Sequence, residues 1–243
     1  MEGWRYEELY ELEDRHWWFR GRRAVVWSLL RRAQLPACPR ILDAGCGTGR
    51  NLIEFGRLGQ AEGVDVSAEA VRFCHRRGLL GVRQAPLERL PFGNDHFDLI
   101  LATDVIEHLD ESSRALVELR RVAASGAHLV ITVPAYNWLW SQHDVSMHHR
   151  RRYTACRLQV EAISTGWQPT ASSYFYTALL PAVAAVRTIR RWRPSQNGAS
   201  DLTLAPAALN RVLELPSRVE AKLIDHGVRL PAGVSIGMVC RAQ

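Results

Sequence analysis

Two hydrophobic rhythms alternate along the first half of the chain. Short apolar runs end in glycine, proline or polar clusters: Arg40 to Ala44, Ala61 to Val66, Gly81 to Gln84, Phe97 to Ala102 and His128 to Val133. Such runs predict buried strands. Between them apolar residues return every three or four positions, as in Asn51 to Leu58, Ala68 to Arg77 behind Ser67 as N-cap, and Glu111 to Ala124. That spacing predicts helices. Strands alternating with helices predict a parallel sheet covered on both faces. Ligands of such sheets bind at the carboxyl ends of the strands, where strand order reverses.

The flanks read differently. Residues 4–35 predict helices rich in charge and aromatics, interrupted by His16-Trp17-Trp18-Phe19-Arg20. After Pro134, Tyr136 to Tyr153 reads as a loop dense in Trp, His and Arg, followed by a helix over Arg157 to Ser164 and a strand over Trp167 to Tyr176. Thr177 to Trp192 predicts a mostly apolar helix with a basic end. Pro194 to Ser200 reads as a linker, Ala205 to His226 as a helix, and Val234 to Arg241 as a closing strand. The expected fold is α/β: a doubly wound, mostly parallel seven-stranded sheet with N-terminal helices and a helical insertion before the last strand. It forms one domain over 1–243, divided into a helical cap (1–36), a core (37–176), an insertion (177–230) expected to cover the site, and the closing strand (231–243).

With 243 residues, 47% hydrophobic and 23% charged, the composition fits a globular domain. The net charge is +6, and Lys222 is the only lysine. Arginines cluster at Arg20, Arg22 and Arg23; at Arg150, Arg151 and Arg152; and at Arg187, Arg190, Arg191 and Arg193. Such clusters suit phosphate or carboxylate groups or an anionic membrane surface, and equally serve solubility. Five cysteines, with no Cys-x-x-Cys pair and no signal peptide, predict free thiols in a reducing, cytoplasmic setting. The longest mainly apolar stretch, Tyr174 to Val186, contains Pro181 and is short of the ~20 residues a spanning helix needs. Peripheral contact with the inner membrane face stays open.

The chemistry is concentrated after the strands. Asp43-Ala44-Gly45-Cys46-Gly47-Thr48-Gly49 is a glycine-rich turn entering a helix, which lets backbone approach a ligand closely. Asp65 closes the next strand. Leu90-Pro91-Phe92 precedes the fourth strand, which leads into Thr103-Asp104-Val105-Ile106-Glu107-His108-Leu109. Together these motifs, over residues 40–134, resemble the class I S-adenosylmethionine-dependent methyltransferases. The resemblance implies S-adenosylmethionine as cofactor, held by Asp43, Gly45, Cys46, Gly47, Gly49, Asp65, Val66, Leu87, Thr103 and Asp104. The loop would wrap the methionine part and Asp65 would accept the ribose hydroxyls. Many relatives carry an acid where Pro86 stands here, so adenine would rest on backbone near Leu87, with Glu88 as a substitute. The segments His16 to Arg23 and Trp140 to Tyr153 are similar to a subgroup of small bacterial methyltransferases that often act on glycans, lipids or secondary metabolites.

Methyl transfer from a sulfonium needs alignment and, for a hydroxyl acceptor, a base. His143, Asp104 and His148 are the candidate bases, with His108, Asp144 and His149 beside them. Trp17, Trp18, Arg22, His108, Tyr136, His149 and Arg152 are expected to line the acceptor site, and the tryptophans could equally pack the N-terminal helix. No standard metal-ligand spacing is present, so no metal is expected. The expected acceptor is a small molecule, a glycan or a lipid-linked compound. The alternative is a protein of the same fold that binds the cofactor without methylating. A nucleic-acid substrate is disfavoured by the absence of an Asn-Pro-Pro-Tyr-type motif or RNA-binding module, and an NAD enzyme by the glycine spacing.

Overall fold

The computed structural model describes residues 3–192 and 207–243. Seven strands form one sheet: β1 (Arg40–Ala44), β2 (Gln60–Asp65), β3 (Val82–Gln84), β4 (Phe97–Thr103), β5 (Ala123–Pro134), β6 (Trp167–Phe175) and β7 (Ser235–Ala242). Their order is β3-β2-β1-β4-β5-β7-β6. β1 to β5 run parallel, and β7 runs antiparallel to both β5 and β6. Strand order reverses between β1 and β4, which opens a crevice at their carboxyl ends.

The helices are α1 (Gly3–Leu12), α2 (Trp17–Leu30), α3 (Arg50–Phe55), α4 (Ala68–Arg76), α5 (Ser112–Val122), α6 (Gln142–Ser146), α7 (Ala155–Ser164), α8 (Leu180–Trp192) and α9 (Ala207–Asp225). The pleat sorts the apolar residues between the two faces. Ile41, Leu99, Leu101, Val130 and Val239 join the core under α2 and α9, with Val25, Leu29 and Ile224. Their neighbours Leu42, Ile100, Leu129, Ile131 and Met238 join the core under α5 and α7, with Leu116, Leu119 and Leu158. Both faces are buried, which explains near-continuous apolar runs rather than alternation.

Four expectations change. His16-Trp17-Trp18-Phe19-Arg20 does not interrupt a helix; His16 is the N-cap of α2, its ring accepting from the Trp18 N–H at 3.2 Å. β5 starts at Ala123 rather than His128, because Ala123 pairs with Phe97 and the extra residues Ala124 to Ala127 bulge from β5 before the ladder resumes at Leu99 and His128. α8 starts at Leu180 because the backbone N–H of Ala178 donates to Glu220 of α9, and the Thr177 hydroxyl donates to Ala232 O. The Tyr136–Tyr153 stretch contains α6 and a 3₁₀ turn, Asn137–Leu139.

The insertion packs mainly sideways. α9 lies along α2, where the Trp17 N–H donates to Asn210 and Arg20 pairs with Glu214 at 3.1 Å. α8 meets the Asn137–Leu139 turn, where Arg187 donates to Leu139 O. The expected basic end of α8 falls mostly outside the described residues: the side chains of Arg190, Arg191 and Trp192, and all of Arg193 and the linker, are not described. Among the described residues no helix is long and apolar enough to cross a membrane.

Candidate active site

The glycine turn sits at the carboxyl end of β1. The N–H groups of Gly45 and Cys46 both donate to Val64 O of β2, at 2.8 and 2.9 Å. This fold-back requires φ of +77° at Gly45, where a Cβ would also strike Val105 Cγ2 at 2.3 Å. Gly47, at φ +54°, aims its N–H at Asp65 Oδ2 (2.9 Å), and Ser67 donates its N–H to Asp65 Oδ1 (2.9 Å). The Asp65 carboxylate therefore joins the turn to the start of α4 and keeps lone pairs for other donors. Thr103 accepts from the Asn51 side chain at 2.9 Å, tying α3 to β4. Leu87 is buried in the core, whereas Val66 and Glu88 are exposed.

Asp43 lies beneath the turn, fully buried, with the Asn51 side chain nearby and no hydrogen bond of good geometry to either carboxylate oxygen among the described residues. Burial and the nearby Glu13 push its carboxyl up to about 7, partly opposed by Arg22. Glu13 was not foreseen. Just beyond α1, it accepts from the Thr48 hydroxyl at 2.6 Å, and Leu9 of α1 lies over Gly47. Burial raises the Glu13 carboxyl, with Thr48 and Arg77 opposing. The N-terminal cap thus lies over the glycine turn.

Asp104 follows β4 in a left-handed conformation (φ +52°). Arg22 of α2 reaches it, Nη1 to Oδ2, at 2.5 Å, and the Thr132 hydroxyl donates to Oδ1 at 2.7 Å. Burial alone would raise the Asp104 carboxyl; Arg22 and Thr132 outweigh it and hold the group below its ordinary value. Trp18 stacks on Tyr176 (centroids 4.2 Å apart, 22° between planes), and Trp17 meets both rings edge-on. These tryptophans lie on the seam between the cap and the chain leaving β6.

The segment after β5 is built around Asp144, which is fully buried. Arg152 binds it through Nε (2.7 Å) and Nη2 (3.1 Å), His149 Nδ1 lies 2.9 Å from Oδ1, and the Ser141 N–H donates to Oδ2 at 2.9 Å. Burial would raise this carboxyl, but His149 and Arg152 hold it far below the ordinary carboxylate range. His149 faces His108 (ring centroids 4.7 Å) and lies 6.3 Å from His143. Burial and His149 push His108 down to about 4. His148 is exposed, at φ +57°. Tyr136 stacks on Tyr174 at 5.2 Å; burial and that neighbour push its phenol up to about 12. Glu107, also not foreseen, is fully buried behind His108.

Comparison with known proteins bears on this geometry. Residues 42–131 match the family model described as a methyltransferase domain, and these residues span β1 to β5 with the glycine turn, Asp65 and Asp104. Over that segment the chain matches the methyltransferase-domain family, and its seven-stranded sheet has the class I methyltransferase fold.

Ajmaline N-methyltransferase of Rauvolfia serpentina is 29% identical over 131 residues, covering 46% of this chain and 44% of that protein. The ubiquinone biosynthesis O-methyltransferase of Bradyrhizobium sp. (strain ORS 278) is 32% identical over 105 residues, 41% of each chain. The chain thus spans about half the length of the curated relatives it matches. The putative methyltransferase solved in complex with the Haloferax volcanii Trm112 methyltransferase activator shares the fold, with a TM-score of 0.64 at 16% identity over 98% of this chain and 93% of that one. The matched segment stops within β5, so the cap, the Asp144 cluster and α8–α9 lie outside it.

Proposed function

We propose that this chain transfers the sulfonium methyl group of S-adenosylmethionine to a small-molecule, glycan or lipid-linked acceptor. The observation that carries the reading is the anchoring of Asp65 by the Gly47 and Ser67 N–H groups, which presents an oriented carboxylate beside the glycine turn. In this reading Asp65 accepts the ribose hydroxyls, with Val66 and Leu87 flanking the adenine. Asp43, a buried carboxylate whose oxygens make no hydrogen bond of good geometry among the described residues, faces the cofactor's ammonium through the turn of Gly45, Cys46, Gly47 and Gly49. Thr103 and Asp104 border the sulfonium.

The acceptor side uses Arg22, His108, Tyr136, His149 and Arg152 as its frame, closed by Trp17 and Trp18. An acceptor lone pair attacks the methyl carbon, the C–S bonding pair passes to sulfur, and the acceptor proton goes to a base. Of the candidates, Asp104 is already held ionised by Arg22 and makes a weak base; its role here is to fix Arg22. His143 and His148 are the bases to test. Turnover of methyl-labelled cofactor against panels of phenols, amines, glycans and lipid-linked acceptors tests the reading. His143→Ala should lower kcat ~10²-fold or more if His143 is the base. Cofactor binding with no transfer to any class would favour the non-methylating alternative.

A lipid-linked acceptor has separate support. Leu209, Val212, Leu215, Val219 and Leu223 form an exposed row along α9, beside Arg211, Arg218 and Lys222, and Val186 and Ile189 are exposed on α8. An apolar row edged by cations suits the boundary of an anionic bilayer. Flotation with anionic vesicles at low salt should carry the protein upward, and salt should release it.

A further inference from the structure

Glu107 carries the clearest unexplained chemistry outside the cofactor turn. It is fully buried, and among the described residues neither carboxylate oxygen has a hydrogen-bond partner. Buried carboxylates are ordinarily paired, because leaving one unpaired costs several kcal/mol. Two imidazoles stand beside it: one carboxylate oxygen of Glu107 and one ring nitrogen each of His108 and His149 lie within 4.8 Å of one another. We propose that Glu107, His108 and His149 bind one divalent transition-metal ion.

The surroundings fit that role. An imidazole that ligates a metal generally donates its other ring N–H to a carboxylate or carbonyl, which fixes the tautomer and aims the free nitrogen. His149 has this partner: its Nδ1 lies 2.9 Å from Asp144 Oδ1, leaving Nε2 for an ion. Asp144 cannot drift, since Arg152 grips it twice and itself donates to Ala135 O at 2.9 Å. The main chain fixes the approach from the other side, with the Arg150 N–H donating to Glu107 O at 2.7 Å. Ligand atoms around a tetrahedral ion with bonds of ~2.1 Å sit about 3.4 Å apart, so small side-chain rotations close the set. Two imidazoles and one carboxylate suit zinc, iron or cobalt rather than calcium.

Three protein ligands leave coordination positions open. His108 also lines a cavity of about 420 Å³, with Glu88, Leu109, Asp110, Glu111 and Arg114. An open position there would take water or an oxygen of a bound molecule. Metal binding does not rest on the methyl-transfer reading. Only the further step does: an acceptor hydroxyl on the ion would lose its proton more readily.

Co²⁺ titration of the chelator-stripped full chain tests the site, followed by visible absorption of the bound ion and displacement by Zn²⁺. The expected result is one saturable equivalent in the wild type. Glu107→Gln and His149→Ala should each weaken Co²⁺ at least tenfold, with S-adenosylhomocysteine binding by calorimetry kept within about twofold. That calorimetry reports folding of the cofactor half, and Glu107→Gln, nearly isosteric, carries the test if His149→Ala fails it. Absence of a stoichiometric Co²⁺ band in the wild type overturns the proposal. So does Co²⁺ binding that the folded variants leave unchanged.

Discussion

Arg22 donates to Asp104 across 2.5 Å, joining a helix of the N-terminal cap to the residue that leaves β4. The Arg22 side chain is 11% exposed and that of Asp104 25%. Removing one member of so buried a pair strands the other charge. Arg22→Gln should lower stability by about 2–3 kcal/mol at pH 7, read by urea unfolding. The folded Asp104 carboxyl lies below its unfolded value, so its contribution is full above pH ~4 and fades as pH falls further. The gap between wild type and variant should therefore narrow in acid; a constant gap would mean that the charge pair is not its source.

Asp43 behaves in the opposite sense. Its folded carboxyl is raised to about 7 in the protein alone. A raised value favours the folded state below the unfolded pKa, and that advantage is lost as pH climbs toward 7. Asp43→Asn should flatten this part of the stability profile. A cationic ammonium beside Asp43 favours the ionised form, so affinity for S-adenosylhomocysteine should rise between pH 5.5 and 7.5, up to about tenfold per unit. Calorimetry across that range, repeated with Asp43→Asn, checks both statements.

Asp65→Ala removes an acceptor from two backbone N–H groups as well as from the ligand. Cofactor binding should weaken by about 1–3 kcal/mol, the scale for hydrogen bonds to a charge. Asp65→Asn, which keeps one acceptor oxygen, should fall between the two. Equal affinity in all three proteins would remove Asp65 from the site.

The turn at Gly45 should be intolerant of any side chain. Alanine there meets both a left-handed backbone and Val105 Cγ2 at 2.3 Å. Gly78, at φ +80° with nothing within 4 Å of its Cβ position, supplies the comparison. Gly78→Ala should cost about 1 kcal/mol and Gly45→Ala at least about 2 kcal/mol more. Thermal unfolding of the two variants separates conformational strain from collision.

The sheet and the glycine turn could be read from the chain because they depend on local periodicity. β1, its turn and Asp65 lie within 40–65, and their spacing alone places them together. The groups that complete the site do not announce themselves this way. Glu13 reaches Thr48 from a helix end more than thirty residues earlier, and nothing in its sequence surroundings separates it from its exposed acidic neighbours. Glu107 and His149 meet only because β4 and β5 are adjacent and the chain after β5 folds back on Asp144. Linear spacing gives no sign of this group, whereas the fold brings Glu107, His108 and His149 together. Helix ends were missed for a similar reason: the Ala178 N–H is taken by Glu220, a partner from the far end of the insertion.

The position of β7 has a consequence for biosynthesis. Among the described residues β6 pairs with β7 and with no other strand, and β7 pairs with β5 on its far side. While the chain is still emerging from the ribosome, β1 to β5 can pair in register, but Trp167–Phe175 has an unmatched edge until Ser235–Ala242 arrives. Its apolar face, with the fully buried Trp167 and Phe175, must wait through the synthesis of both insertion helices. Assembly of the antiparallel edge is therefore a late event. During that interval the nascent protein is most open to capture by chaperones and to edge-to-edge aggregation.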